Sequence, residues 1–259
     1  MKSAKVIDIR GRMLGGETPL LCTPLVGTTS ERILAEASSV IAKKPEVIEW
    51  RVDYFESIGD SAAVLETARL LRAAVGDMPI IFTRRSTREG GEKISIDDEA
   101  VVRLYDAVSA SGLVDFLDFE MGNDPEHLRR VRQSTRERGT RLILSYHNFG
   151  YTPGREFLEQ RFLEAERLGA DVAKVAVMPR DRMDVLTLLA ATAQAEAKAR
   201  IPLISMSMGP LGSVTRMIGG VFGSSLSFAV GEGSSAPGQM PIADLHAVYA
   251  VIRRARGTT

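Results

Sequence analysis

Eight short apolar segments recur along the chain of 259 residues, and their spacing is the strongest constraint on its fold. Most of them are separated by about one strand-plus-helix unit, and the stretches between them have helical character. Strands of a parallel sheet are covered by helices, and for this reason they are almost continuously apolar. The eight candidate strands are residues 19–27, 47–55, 79–86, 116–122, 141–149, 172–179, 202–209 and 221–230.

Helices between these strands would supply the crossovers that parallel strands need. The clearest helical patterns lie at residues 30–43, 97–110 and 181–199, and at 124–126, where Asp-Pro-Glu is typical of a helix start. We therefore predict an α/β protein, a (β/α)8 TIM barrel in which residues 1–259 form one catalytic domain. Residues 6–19 predict a small β-hairpin that covers the barrel floor. An open doubly wound sheet is the alternative, but no glycine-rich dinucleotide fingerprint follows the first strand.

Composition limits the partners and the location of the protein. The 33 basic residues balance the 33 acidic ones, so the chain lacks the basic footprint of a nucleic-acid or membrane-surface protein. A single cysteine cannot form an intrachain disulfide, and no apolar stretch reaches the ~20 residues that span a bilayer. The first residues also lack the apolar core of a signal peptide. We therefore expect a cytoplasmic protein without a nucleic-acid or membrane partner. Neither histidines nor cysteines have metal-ligand spacing, so we expect no metal site.

Several strands place ionisable side chains on one face. Side chains alternate along a strand, and in residues 47–55 the apolar set suits the helix-facing side, which leaves the charged set inside the barrel. Barrel active sites lie at the carboxyl ends of the strands, so these groups predict a shared polar cavity there. Structural ion pairs, such as Glu49 with Arg51 and Arg85, are the alternative interpretation. The inward-facing polar residues are Glu49, Arg51, Asp53, Thr83, Arg85, Asp118, Glu120, Ser145, His147 and Lys174.

Lys174 is the sharpest chemical signal, because its neighbours in VAKVAVMP (172–179) are small or apolar. A dry setting disfavours the ammonium form, and only the free amine attacks a carbonyl. Lys174 is therefore a candidate Schiff-base nucleophile. The structural alternative is a strand-end lysine that extends to solvent.

His147 ends the preceding strand at the level of Lys174. A histidine beside an amine nucleophile can carry protons through the steps of imine chemistry. The alternative is a core histidine bonded to a backbone carbonyl. Glu89, in the loop TREGGE (87–92), is a candidate to orient His147, although a solvated loop acid is the simpler interpretation.

Two features near the C-terminus predict closure and anion binding. The segment GEGSSAPGQMP (231–241) follows the last strand and is a candidate lid. Arg216 precedes the last strand, and an arginine can grip a carboxylate with two hydrogen bonds.

A set of motifs in fixed order gives these residues a family context. The motifs are EWRVDYF, FTRRSTREGGE, SYHNF, the lysine of VAKVAVMP, SMSMG, TRMIGGVFGSSLSF and SSAPGQM. Together they resemble the type I 3-dehydroquinate dehydratases of the shikimate pathway, from the first strand to the C-terminus. The resemblance implies a (β/α)8 barrel, a homodimer and no metal or organic cofactor. It also implies dehydration of the small-molecule substrate 3-dehydroquinate to 3-dehydroshikimate through a lysine imine, in aromatic amino-acid biosynthesis.

The resemblance assigns roles to nine residues. Lys174 matches the Schiff-base lysine, His147 the general acid/base and Glu89 the acid that positions the histidine. Arg216 matches the residue that holds the substrate carboxylate. The remaining substrate-binding positions are Glu49, Arg51, Arg85 and, from the lid, Ser235 and Gln239.

Two other functions compete with this interpretation. A class I aldolase would share the barrel and the imine chemistry, and GPLGS (209–213) could imitate its phosphate site. A catalytically silent barrel that binds or regulates a partner is the third interpretation, which the presence of both Lys174 and His147 argues against.

Overall fold

A curled parallel sheet forms the centre of the protein. The computed structural model describes residues 5–233 and 235–257; residues 1–4, 234 and 258–259 of the predicted domain and lid lie outside this description. The strands are β1 (Ile7–Ile9), β2 (Arg12–Leu14), β3 (Leu20–Leu25), β4 (Val47–Arg51), β5 (Ile80–Thr83), β6 (Phe116–Glu120), β7 (Arg141–Asn148), β8 (Val172–Val177), β9 (Leu203–Ser207), β10 (Leu226–Val230) and β11 (Met240–Pro241).

The strands from β3 to β10 close into a barrel. Neighbours from β3 to β9 pair in parallel in chain order, and β10 pairs with β3. A parallel bridge between Leu203 and Ser224 joins β9 to the segment before β10. The predicted (β/α)8 barrel is therefore confirmed, and the open-sheet alternative is wrong.

Helices surround the barrel, and an aspartate side chain caps several of their N-termini. Asp60, Asp97, Asp124 and Asp181 each accept hydrogen bonds from backbone N–H groups of the first turn, which satisfies donors that a helix leaves free. Of the helices described, none is both long enough and apolar enough to cross a membrane. The helices are α1 (Ser30–Ile41), α2 (Ser61–Val75), α3 (Asp98–Ser111), α4 (Pro125–Arg138), α5 (Arg155–Arg167), α6 (Arg182–Lys198), α7 (Gly209–Gly212), α8 (Val214–Ile218) and α9 (Ile242–Arg256).

The last barrel strand is shorter than the sequence predicts. The expected strand covers residues 221–230, but a 3-10 helix occupies Gly219–Phe222 and β10 begins only at Leu226. Gly223 ends the 3-10 helix with a φ of 102°, in the left-handed region that glycine adopts without steric cost. The apolar run therefore contains a turn, which its composition did not reveal.

Each of the five strands from β4 to β8 has an apolar residue near the amino-terminal end of its inner face and polar residues nearer its carboxyl end. Val47, Ile81, Phe116, Ile143 and Val172 form an inner apolar layer. Leu14 of the hairpin joins this layer, and Ile7 and Ile9 pack against it, so the hairpin covers the amino-terminal end of the barrel as predicted. The interior is thus apolar at the amino-terminal ends of these strands and carries ionisable groups at their carboxyl ends.

A row of aromatic rings packs on the outer face of three neighbouring strands. Trp50, Phe82, Tyr105 and Phe119 make successive edge contacts with centroids 5.4, 5.5 and 5.5 Å apart. Such pairs contribute about 0.5–1.5 kcal/mol each beyond their buried area. The row ties α3 to the strands β4, β5 and β6, which carry part of the polar interior.

Candidate active site

A small polar cavity lies at the carboxyl ends of the barrel strands. Its volume of about 40 Å³ leaves room for a few water molecules. Apolar side chains such as Phe149, Met206 and Phe228 form part of its wall. Eight of the nine predicted site residues line it, and the ninth, Arg216, does not. The eight are Glu49, Arg51, Arg85, Glu89, His147, Lys174, Ser235 and Gln239.

Lys174 projects from the middle of β8 into this cavity and is 4% exposed. Its Nζ atom donates to Oδ2 of Asp118 at 2.8 Å and to Oε1 of Glu49 at 3.5 Å. It also lies 4.6 Å from the centre of the Phe228 ring. Lys174 is therefore dry, as expected, but its surroundings are not apolar. The neighbours along its own strand did not reveal these two carboxylates, which other strands supply.

Asp118 is the site residue that the sequence interpretation left without a role. Its Oδ1 atom accepts from Arg85 Nη2 at 2.8 Å and from Ser145 Oγ at 2.6 Å. Although burial opposes the charged form, Arg85 and Lys174 hold the pKa of Asp118 far below its usual range. Its inward parity on β6 was the available signal, but parity does not reveal which cation lies opposite.

His147 and Glu89 form a close pair, as the sequence predicts. Glu89 Oε2 accepts from the backbone N–H of His147 at 3.1 Å and lies 2.8 Å from Nδ1. We assign the Nδ1–H tautomer, because that oxygen already acts as an acceptor. The lone pair of Nε2 then remains available as a base.

Burial is the largest influence on the pKa values of both His147 and Glu89. Burial, with Arg85 and Lys174 nearby, lowers the pKa of His147 well below its usual value. Burial also raises the pKa of Glu89 to about 8. Arg85 alone would lower this pKa, but the acids Glu120 and Asp118 oppose its effect. Burial therefore disfavours the charged form of each side chain.

Asp53 follows β4 and connects its end to the loop that carries Glu89. It binds Arg51 with both oxygens, at 2.9 and 2.7 Å, and accepts the backbone N–H groups of Arg85 at 3.2 Å and Glu92 at 3.1 Å. Arg51 also donates to the backbone carbonyl of Ser235 at 3.4 Å. One buried aspartate thus orients Arg51 toward the lid and holds the Glu89 loop beside the cavity.

The structural alternative predicted ion pairs of Glu49 with Arg51 and Arg85, but the observed pairs are different. Arg51 pairs with Asp53, and Arg85 pairs with Asp118 and Glu120. Glu49 binds Lys174 and accepts from the hydroxyl of Thr83 at 2.9 Å. Glu49 therefore contacts the amine of Lys174 instead of either arginine. Arg85 also donates to Ser145 Oγ at 2.8 Å.

Residues 235–241 of the predicted lid lie beside the cavity, and Ser235, Ala236 and Gln239 form part of its lining. Ser235 and Gln239 bind each other, through the Ser235 N–H to Oε1 and through Nε2 to Oγ, both at 3.1 Å. The carbonyl of Pro237 accepts from the backbone N–H of Gly209 at 3.1 Å. Gly238, with a φ of 78°, passes so close that a Cβ there would lie 2.2 Å from the Gly209 carbonyl oxygen. The lid therefore seats against the end of β9.

Arg216 lies beside the cavity and holds the lid from behind its wall. It is 1% exposed and donates to the backbone carbonyls of Gly238 at 2.9 Å, Pro237 at 3.2 Å and Phe228 at 3.3 Å. No carboxylate lies within ion-pair distance among residues 5–233 and 235–257. Burial lowers the pKa of Arg216 to about 10, so it stays charged at neutral pH. It is a buried cation without an anionic partner in the described chain.

The fold and the cavity define a class of protein. It is a (β/α)8-barrel enzyme whose cavity brings together a buried amine, a histidine–carboxyl pair and several buried charges. Among the described residues, no group of three or more histidine, cysteine, aspartate or glutamate side chains has an arrangement that could hold a metal ion.

Comparison with known proteins places the chain within this class. A sequence profile of the type I 3-dehydroquinase family matches residues 21–256. The 3-dehydroquinate dehydratase of Albidiferax ferrireducens is 54% identical over 258 residues, which cover 99% of this chain and 98% of the relative. The crystal structure of 3-dehydroquinate dehydratase from Geobacillus kaustophilus is 45% identical, with a TM-score of 0.94 and 96% of each chain covered. A crystal structure of the type I enzyme from Clostridium difficile with covalently modified comenic acid is 35% identical, with a TM-score of 0.94 and coverage of 98% and 100%.

The chain belongs to the type I 3-dehydroquinase family. The family resemblance predicted from the motifs and the assignment as a hydro-lyase are therefore confirmed. The family decides against the aldolase and the silent-barrel interpretations.

Proposed function

We propose that this enzyme dehydrates 3-dehydroquinate to 3-dehydroshikimate through an imine on Lys174, in the shikimate pathway of aromatic amino-acid biosynthesis. The observation that carries the proposal is the position of the Lys174 amine, which lies buried in the same cavity as the His147–Glu89 pair. The close relatives are named for this reaction over nearly their whole length. Nothing in the proposed route uses a metal or an organic cofactor.

The first half of the proposed route forms the iminium. A proton leaves the Lys174 ammonium for Nε2 of His147, and the free amine adds to the C3 ketone. His147 then returns the proton to the new hydroxyl, which departs as water and leaves a protonated imine. Ammonium and ketone thus give iminium and water, with atoms and charge in balance.

The second half breaks the carbon–oxygen bond. The iminium acidifies the neighbouring C2 hydrogen, which His147 removes to give an enamine. His147 then protonates the C1 hydroxyl as it leaves, so a second water departs. Hydrolysis of the conjugated iminium releases the enone and regenerates Lys174. Glu89 holds His147 in the tautomer that this sequence needs.

The fixed charges of the cavity fit a polar substrate with a carboxylate. We propose that Arg216 binds the carboxylate, because a buried cation without an anionic partner favours an anion strongly. Glu49, Arg51 and Arg85 would bind the hydroxyls and the ring. Ser235 and Gln239 would complete the enclosure from the lid.

Borohydride trapping tests the imine directly. The enzyme is mixed with 3-dehydroquinate and sodium borohydride, and its peptides are mapped by mass spectrometry. In wild type we expect a substrate-derived adduct on Lys174 and loss of activity. Lys174→Met should be inactive from the start and should gain no adduct. Lys198→Met is the matched control, because Lys198 lies on α6 and pairs with Glu159 on the outer wall. An active enzyme that gains no adduct would refute the imine route.

We also propose a homodimer, as the family resemblance implies. Phe157, Met183 and Leu186 line a shallow depression between α5 and α6 and are 40, 65 and 54% exposed. Large apolar side chains grouped on a surface often mark a protein interface. Light scattering should give twice the chain mass, and Leu186→Lys should shift the protein toward monomer; a monomeric wild type would contradict the proposal. Residues 1–259 are proposed to form one catalytic domain, and a cytoplasmic location stays a prediction.

A further inference from the structure

Asp118 uses its two carboxylate oxygens for different contacts. Oδ1 accepts from Arg85 Nη2 at 2.8 Å and from Ser145 Oγ at 2.6 Å. Oδ2 faces Nζ of Lys174 at 2.8 Å. The side chain is completely buried. One oxygen is therefore anchored to the barrel, and the other is presented to the amine that the proposed function makes the nucleophile.

The backbone at Asp118 is held as firmly as its side chain. Asp118 pairs in register with Thr83 on one side and with Ile143 on the other. The hydroxyl of Tyr105 donates to the carbonyl of Asp118 at 2.8 Å, and the same hydroxyl accepts from the N–H of Arg84 at 2.8 Å. The carboxylate therefore cannot follow a moving partner, and Nζ must adjust to it.

Of the two acids that contact Lys174, Asp118 makes the closer contact. The Glu49 oxygen lies 3.5 Å from Nζ and also accepts from the Thr83 hydroxyl at 2.9 Å. Coulombic attraction weakens with distance, and a shared acceptor is partly satisfied already. Asp118 is thus the principal counter-ion of Lys174.

We propose that Asp118 is the fixed counter-ion of the reacting nitrogen, which it aims at the ketone and stabilises in the iminium. This inference rests on the proposed imine function. The nitrogen is positively charged in the resting ammonium and again in the iminium. The proton that His147 carries between these two states leaves in the water that is formed. Asp118 neither gains nor loses a proton and forms no covalent bond. A preorganised anion of this kind lowers the free energy of the charged intermediate without reorganising.

A purely structural role makes a different prediction. If Asp118 only compensates the buried charges of Arg85 and Lys174, its loss lowers stability but leaves the chemistry of the folded enzyme unchanged. If it stabilises the iminium, its loss lowers kcat and the amount of iminium present during turnover.

The test compares Asp118→Asn with the same change at an aspartate that comes just before the same strand. Asp115 precedes β6 at the opposite end of the barrel and pairs with Arg10 at 2.6 Å and Arg72 at 2.7 Å. In Asp118→Asn we expect kcat to fall about 100-fold or more, with KM changed less than about threefold, and less borohydride adduct per folded molecule. Asp115→Asn should lower the melting temperature but keep kcat and adduct at wild-type levels. Asp118→Glu, which restores the charge, should recover part of the lost kcat.

Ser145→Ala keeps the test decisive if Asp118→Asn does not fold. This change removes the hydroxyl that holds Oδ1 and leaves every charge in place, so kcat should fall about fivefold to tenfold at unchanged KM, as loss of one hydrogen bond of ~1–1.5 kcal/mol requires. Wild-type kcat and adduct in a folded Asp118→Asn, or wild-type kcat in Ser145→Ala when Asp118→Asn does not fold, would overturn the inference. If active wild-type enzyme gains no adduct, the proposed function fails instead, and this inference fails with it.

Discussion

One carboxylate oxygen of Glu89 accepts two hydrogen bonds from His147, from the backbone N–H at 3.1 Å and from Nδ1 at 2.8 Å. The backbone bond fixes the loop to the end of β7, and the ring bond fixes the imidazole. Orientation and tautomer of the histidine therefore depend on a residue 58 positions away in the sequence. The same contact buries both groups, which makes their protonation sensitive to folding.

Glu89→Gln should change how stability depends on pH. Burial raises the pKa of Glu89 to about 8, above the ~4.3 of an unfolded chain. The folded state thus binds an extra proton between these values, and this contribution to stability is lost as pH rises from ~4.3 to ~8. Glutamine does not titrate, so the melting temperature of the variant minus that of wild type should increase from pH 5 to pH 8.

His147 does not alter the sign of that difference. Its pKa is lowered in the folded protein, so it costs stability as pH falls below the unfolded value of ~6.5, and it does so in both proteins. Glu92→Gln, an exposed acid of the same loop, is the control and should show no such change. A difference that stays flat or decreases with pH would contradict the raised pKa of Glu89.

His147→Ala should separate imine formation from proton transfer. Turnover should slow by about 10²–10⁴-fold because the proton carrier is lost, whereas borohydride should still trap some adduct on Lys174. His127, which lies on α4 and pairs with Glu99 on the outer wall, provides the control variant His127→Ala. Full activity in His147→Ala would show that another group moves the protons.

Arg216→Met should weaken substrate binding more than it slows the chemistry. Loss of a charged hydrogen bond of about 1.5–3 kcal/mol corresponds to a rise in KM of roughly 10- to 100-fold. An analogue with an amide in place of the carboxylate should lose little further affinity in the variant, although it binds wild type poorly. Arg129→Met, on the exposed face of α4, is the control. Equal discrimination between acid and amide by both enzymes would exclude Arg216 as the carboxylate site.

Gly238→Ala should prevent the lid from seating. A Cβ at this position would lie 2.2 Å from the carbonyl oxygen of Gly209, a contact that requires the backbone to move. We expect kcat/KM to fall about 10-fold or more because the cavity no longer excludes water. Gly139→Ala is the matched control, because its φ of 76° is similar and no atom lies within 4 Å of the added Cβ. Both variants bear left-handed strain of ~1–2 kcal/mol, and only Gly238→Ala should lose activity.

Much of the architecture could be predicted because it depends on local patterns. The eight apolar runs and the capping aspartates at Asp97, Asp124 and Asp181 mark strands and helices in the order of the chain. Parity then placed Glu49, Arg51 and Lys174 inside the barrel, since side chains alternate along any strand. The turn at Gly223 was missed because an apolar run does not reveal a positive φ.

Local patterns in the sequence were enough to predict the barrel, the inward direction of the charges and the family. Which charges contact one another depends on the tertiary structure. Asp118 lies 56 residues before Lys174 and 33 residues after Arg85, yet it contacts both. Such partners depend on strand register and on the stagger of a closed barrel, which bring distant residues to one level. The surroundings of Lys174 therefore looked apolar along its own strand, although the amine contacts two carboxylates from other strands.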